Sequence, residues 1–306
     1  MANKSAASDE SLLQRLKREL IREKSVLFSL IILTFIILTT IIATTLLNTY
    51  ETLATNILAP RLQPPSLQNW LGTDSAGRDN FHVLFFAIRN SLIMMSMTTI
   101  LAGIFGVIYG LVAGYIGGWI DYVMVLIVDA ISLFPVMILA IAILIFIPGT
   151  MMFSYPITIA LISWPQVAKV VRDKVIEEKN MDYIEAARTI GTNHKRIIFS
   201  HLLPNLLVEI VASMTLVFAT VAVIEAGLSF LDFGFATVVP TIGTLISPPN
   251  NPADGAVMMM PGGSMMIFLR NYENMWIPPV VILVTIIYNV NKLAGFILRF
   301  GNKGEG

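Results

Sequence analysis

The chain has 306 residues, 56% hydrophobic and 13% charged, with no net charge at pH 7 and no cysteine. A soluble domain carries about 25% charged residues to cover its surface, so a water-soluble globule is excluded. Zero net charge leaves no basic face for a nucleic acid, and the lack of cysteine removes disulfides and thiolate metal sites.

Residues 1–25 are polar, and the apolar run that follows exceeds the roughly 7–15 residues of a signal-peptide core. That run reads as a retained first span. Ahead of it, residues 10–24 (ESLLQRLKRELIREK) place Leu12, Leu13, Leu16 and Leu20 on one helical face. This amphipathic tail reads as a helical lead into the span, with a helix lying on the inner membrane surface as the alternative.

A bilayer core about 30 Å thick needs roughly 20 apolar residues of helix. Six segments meet or approach that length: 26–47, 91–116, 122–147, 153–171, 206–231 and 275–298. The expectation is therefore an all-α polytopic protein with an external segment 48–90, a five-helix core 91–298 and a loop 172–204. In the fourth segment Pro165 predicts a kink rather than a break, because neighbouring helices can satisfy the freed carbonyl. Lys and Arg fix the orientation. Sixteen of the twenty fall in the N-terminal tail, in the stretch from Lys169 to Arg196, or from Lys292 onward. Both termini and the 172–204 loop are thus expected in the cytoplasm.

Between the first two segments, Gly72 to Asp79 predicts a turn and a capped helix start, with Thr73 or Asp74 as cap and Arg78 paired to a carboxylate, the alternative being Asp74 and Asp79 as ligands for a cation or a peptide amine. Gly106, Gly110, Gly114 and Gly118 recur every four residues, a small-residue stripe along which another helix can pack closely. Trp119 and Trp276 lie at span ends as interfacial anchors, and the 16 methionines read as gap-fillers. Two ionisable residues fall inside spans, Asp129 and Glu225. A charge at a helix centre costs about 2.5–3.5 kcal/mol, so each is expected to line a translocation path or to meet an internal polar partner. Glu209 lies nearer the interface and reads as structural.

The loop from Val171 reads VRDKVIEEKNMDYIEAARTIGTNHKRIIFSHLLPN. Val175, Tyr183, Ile184 and Ala187 recur at helical spacing, Gly191 interrupts, and a second helical run from Lys195 to Leu203 leads to Pro204. Asn193 is placed to cap that second helix. Helix, glycine turn and helix, with Ala186 and Ala187 permitting close contact, suit a docking element.

Glu185-Ala186-Ala187, then Gly191, then Leu203-Pro204 resembles the EAA loop of ABC importer permeases. His201, two residues before the Leu-Pro pair, is the variant of the peptide-permease group. The segment WLGTDSAGRD (residues 70–79), Ala113 to Gly118 with Asp121, and Gly227-Leu228-Ser229-Phe230-Leu231 are similar to the C-type permeases of oligopeptide, dipeptide and nickel importers. The likeness runs from about residue 69 to 247. Asp232 departs from the family's usual glycine, the outer loop 248–274 is long and rich in Met, Pro and Gly, and Pro278-Pro279 replaces Pro-Gly.

The resemblance implies a type I ABC importer permease fold in the cytoplasmic (inner) membrane of a bacterium. It implies a second homologous permease in a heterodimer, two ATP-binding subunits that hold ATP and Mg, and an extracytoplasmic solute-binding protein. Glu185, Ala186, Ala187, Gly191, Leu203 and Pro204 would carry the ATPase coupling. With no GxxxxGK[ST] loop, nucleophile–base pair or metal cluster in the sequence, no catalytic, cofactor or metal site is expected in this chain. Di- or oligopeptides are the expected cargo, with nickel the alternative and an ion-coupled secondary transporter the more distant one.

Overall fold

The computed structural model describes residues 18–47, 60–74, 76–146, 151–231, 233, 239–247 and 273–302. Most of the amphipathic tail, Asp232 and nearly all of the outer loop 248–274 lie outside the described residues. The major helices in chain order are α1 (Lys24–Leu46), α2 (Asn80–Ile116), α3 (Gly118–Ser132), α4 (Val136–Phe146) and α5 (Met151–Glu178). They continue with α6 (Asp182–Thr189), α7 (Leu207–Phe230), the short α8 (Ile242–Ile246) and α9 (Glu273–Asn302).

Among the described residues four helices, α1, α2, α7 and α9, are long and apolar enough to cross a membrane, and a fifth span results if α3 and α4 count as one. The sequence placed one span over 122–147; the chain instead bends by 92° between α3 and α4. Pro135 sits at the break. A proline ring removes one helical N–H, clashes with the preceding turn and disfavours helical angles at the residue before it, here Phe134. In α5, by contrast, Pro156 and Pro165 lie inside one continuous helix, as the reading of Pro165 foresaw.

The core forms around α2 and α5, whose interface is the most extensive in the molecule. The glycine stripe explains the closeness. A Cβ on Gly106, Gly110 or Gly114 would stand 2.6–2.8 Å from α5 atoms, including the carbonyls of Trp164, Ala168 and Arg172. Gly103 lies against Met214 of α7 instead. Gly118 is not part of the stripe: α2 stops at Ile116, and Gly117 and Gly118 turn the chain with φ of +71° and +61°. Only glycine adopts two such angles in succession at little cost.

Long-range contacts sort the termini. Arg299 pairs with Glu23 at 2.8 Å, and Gly301 abuts Val208 at the start of α7. The start of α1, the end of α9 and the loop between α5 and α7 therefore share one end of the bundle, called here the loop end. The start of α2 and α8 lie at the far end, where Asn90 donates to the Pro240 carbonyl at 2.9 Å and Asn274 to that of Leu71 at 2.6 Å. There the segment 60–79 folds onto itself: Asp74 accepts from the backbone of Ala76 and Arg78 and pairs with the Arg78 guanidinium at 2.6 Å. The helix cap is Asp79, which accepts from Phe81 N at 2.8 Å; Thr73 accepts from Gln63 N and donates to the Pro60 carbonyl instead.

Candidate functional site

Three residues separate α5 from α6, so the long core helix runs almost directly into the docking element. Ile184 is the one fully buried residue of α6, while Glu185, Ala186, Arg188 and Thr189 are exposed. Ile190, beyond the helix, is 84% exposed, a large apolar side chain with no cover in the isolated chain. Gly191 closes the helix at φ +81°, and a Cβ there would meet nothing, so its requirement is conformational. Asn193 then caps the next turn, accepting from Lys195 N at 3.4 Å.

The second run is not a plain α-helix. Ile197–Leu202 is π-helical, with Leu203 N bonded to the Ile198 carbonyl, before Leu203–Asn205 returns to α. Pro204 offers no N–H, and a π turn is one way to accommodate an interrupted ladder. Ile197, Leu202 and Leu206 bury fully beneath it; Leu203 is half-buried and Pro204 exposed. Tyr183 locks the two limbs together. Its hydroxyl donates to the buried Glu178 carboxylate and accepts from Asn205 Nδ2 at 2.9 Å. Burial, and then that donation to Glu178, push the Tyr183 phenol up to about 12.

Beside the loop stands the corner between α2 and α3. Arg172 of α5 grips Asp121 with two nitrogens at 2.5 and 2.7 Å. Lys179 donates to the Gly114 carbonyl at 2.6 Å. Tyr115 Oη lies 2.6 Å from His194 Nδ1, and the Arg188 guanidinium lies 5.9 Å from the Tyr115 ring centre. None of these pairs was expected. The sequence offered no signal for them, since Tyr115 and His194 are 79 positions apart.

The two intramembrane carboxylates part company. Asp129 pairs with Lys169 at 2.9 Å, both about half exposed, beside a small cavity walled by Tyr109, Val128 and Arg172. Glu225 is fully buried at the far end. Its Oε1 accepts from Thr241 at 2.6 Å and Ser229 at 3.1 Å, while Oε2 has no hydrogen-bond partner among the described residues. Ser91 of α2 accepts from Ile242 N at 2.9 Å, so α8 is fastened to both α2 and α7. Gly243 must lack a side chain, because a Cβ would lie 2.8 Å from Glu225 Oε1. Glu209 lies at the start of α7, 3.9 Å from Lys174. Among the described residues no group of three or more His, Cys, Asp or Glu could hold a metal.

Comparison with known proteins adds three findings. The family described as "Binding-protein-dependent transport system inner membrane component" matches residues 106–299, and "N-terminal TM domain of oligopeptide transport permease C" matches residues 11–65. The oligopeptide transport system permease protein OppC of Lactococcus lactis subsp. cremoris is 30% identical over 252 residues, 82% of this chain and 86% of its own. The dipeptide transport system permease protein DppC of Alkalihalophilus pseudofirmus is 36% identical over 215 residues, 70% of each chain. The glutathione transport system permease protein GsiD of Pectobacterium atrosepticum is 33% identical over 60% of each chain. Among solved structures, a chain of the MetNI methionine ABC transporter in an inward-facing conformation superposes with a TM-score of 0.54. It shares 18% identity, covering 72% of this chain and 97% of that one, which is a likeness of fold.

Proposed function

The chain belongs to the family of binding-protein-dependent transport system inner membrane components, and from that premise we propose that it is the permease subunit of an ATP-driven importer of di- or oligopeptides. It sits in the bacterial inner membrane as a multi-pass protein. Relatives named for oligopeptides, dipeptides and glutathione favour peptide cargo over nickel. ATP and Mg belong to two partner ATPase subunits; a second, homologous permease completes the pathway, and an external solute-binding protein delivers the cargo.

The domain reading follows from the same premise. Residues 1–25 form a cytoplasmic tail and 26–306 the permease domain, with six crossings, α3 and α4 together making the third. The fourth crossing is α5, too polar over its last turns for lipid but enclosed by α2, α3 and α7. Lys and Arg place the loop end in the cytoplasm.

The observation that carries this function is the geometry of α6 and Gly191. A short helix presents Glu185 and Ala186 away from the bundle with Ala187 half-buried beside them, has Ile184 as its one fully buried residue, and follows the long core helix α5 after three residues. An ATPase that moves α6 therefore moves α5. The test is uptake of labelled peptide by the assembled complex in proteoliposomes. Ala186→Arg or Gly191→Pro is expected to abolish ATP-dependent uptake while the bundle still folds; uptake that survives both removes the coupling role from this loop.

A further inference from the structure

The loop end holds a second structure that the coupling reading does not use, and it bears on where the stroke goes after α6. Residues Gly114 to Asp121 form the corner joining α2 to α3. The corner turns on two successive glycines, Gly117 and Gly118, both at positive φ, and a Cβ added at Gly118 would meet nothing, so the turn has room to change its angle. Among the described residues its side-chain attachments at this end run to α5 or to the loop. Arg172 holds Asp121 with two nitrogens, Lys179 holds the Gly114 carbonyl, and Tyr115 meets both limbs of the loop. On one limb is Arg188, at the end of α6; on the other is His194, just past the Gly191 turn.

A single side chain touching both sides of a glycine turn registers any change in the turn's opening. Tyr115 is half-buried and packs edge-on against the His194 ring, centres 5.7 Å apart. The corner leads into α3, and α3 meets α4 at the 92° break. Beyond that break, Met137 of α4 lies against Gly227 of α7. A displacement of the corner has a direct path to the elbow.

We propose that the α2–α3 corner receives the coupling stroke, with Tyr115, Asp121, Arg172 and His194 as positioning residues that tie the motion of the loop to the α3–α4 elbow. Tyr115 senses the loop. Asp121 and Arg172 keep the corner in register with α5, so that a push on α6 turns the hinge at Gly117 and Gly118 rather than shearing the two helices apart. This rests on the coupling role assigned to α6 above and extends it by one link.

The experiment measures peptide uptake and ATP hydrolysis side by side in proteoliposomes containing the whole complex. Tyr115→Phe removes one hydroxyl and His194→Ala its partner. Each is expected to lower peptide transported per ATP hydrolysed by about fivefold, the scale of one net hydrogen bond, with hydrolysis little changed. Asp121→Arg is expected to uncouple more strongly, and the exchange Asp121→Arg with Arg172→Asp to recover a substantial part of the ratio. If Tyr115→Phe and His194→Ala both leave the ratio at the wild-type value, the corner is not the receiver. If they lower uptake and hydrolysis in proportion, or the exchange recovers assembly without recovering the ratio, the contacts are structural and the proposal fails. Ala186→Arg in the same assay separates the two readings: uptake lost there but unaffected by the corner variants retires the corner alone, whereas uptake retained retires the coupling role of α6 itself.

Discussion

The ion pairs of the loop end and the α7–α8 junction of the far end are held together by different kinds of chemistry. At the loop end the contacts join charged, partly exposed groups: Arg172 to Asp121, Lys179 to a carbonyl, Arg299 to Glu23. At the far end one fully buried carboxylate, Glu225, accepts from neutral hydroxyls, and a backbone amide of α8 is fastened by Ser91. Exposed ion pairs contribute roughly 0–1 kcal/mol each and re-form easily in water. A buried carboxylate stripped of its donors costs several times more, with no water to replace them. These loop-end pairs are therefore contacts that can be exchanged, and the α7–α8 junction is one that must be kept.

The largest test of that contrast is at Glu225. Glu225→Ala leaves the Thr241 and Ser229 hydroxyls buried without their acceptor, and about 2–4 kcal/mol of stability should be lost. In detergent this should appear as a melting midpoint lowered by roughly 5–10 °C. Glu225→Gln, which keeps volume and one acceptor oxygen, should lose clearly less. Equal midpoints for Ala and wild type would erase the distinction between the ends. Asp121→Asn should cost about 1 kcal/mol or less, shrinking further in high salt, because Arg172 remains partly solvated. A drop as large as that of Glu225→Ala would mean the loop end is no more exchangeable than the far end.

The smallest effect belongs to Tyr183. Its phenol is raised from 10.0 to about 12, so folding favours the neutral hydroxyl. The stabilisation is complete below pH 10 and disappears as pH rises from 10 to 12. Because Tyr183 is 39% exposed, the effect is modest. The stability difference between wild type and Tyr183→Phe should narrow across that interval; a constant difference would remove the hydroxyl from the account of how the loop's limbs are joined.

What could be read from the sequence was local. The Asn193 cap, the Gly191 turn and the continuity of α5 through Pro165 each depend on a few neighbouring residues, and each was foreseen. Three of the four stripe glycines behaved as their spacing said; Gly118 did not, because a neighbouring glycine let the chain turn before the next helical repeat. The break at Pro135 was a local signal passed over in favour of continuous hydropathy. The cap at Asp79 was displaced by the fold of 60–79, which engages Thr73 and Asp74 in other bonds. The meeting of Tyr115 with His194, or of Asn90 with Pro240, had no local signature. Such pairs are fixed by how helices stack, and a single sequence does not state that.

The absent side chains at Gly106, Gly110 and Gly114 have a mechanical consequence. With carbonyls of α5 standing where Cβ atoms would be, neither α2 nor α5 can roll about its own axis without lifting from the other. The two act as one stiff two-ply beam running the depth of the bundle. A rotation of one helix therefore carries the other with it, and a methyl group added at any of the three positions would force the two backbones apart at that contact.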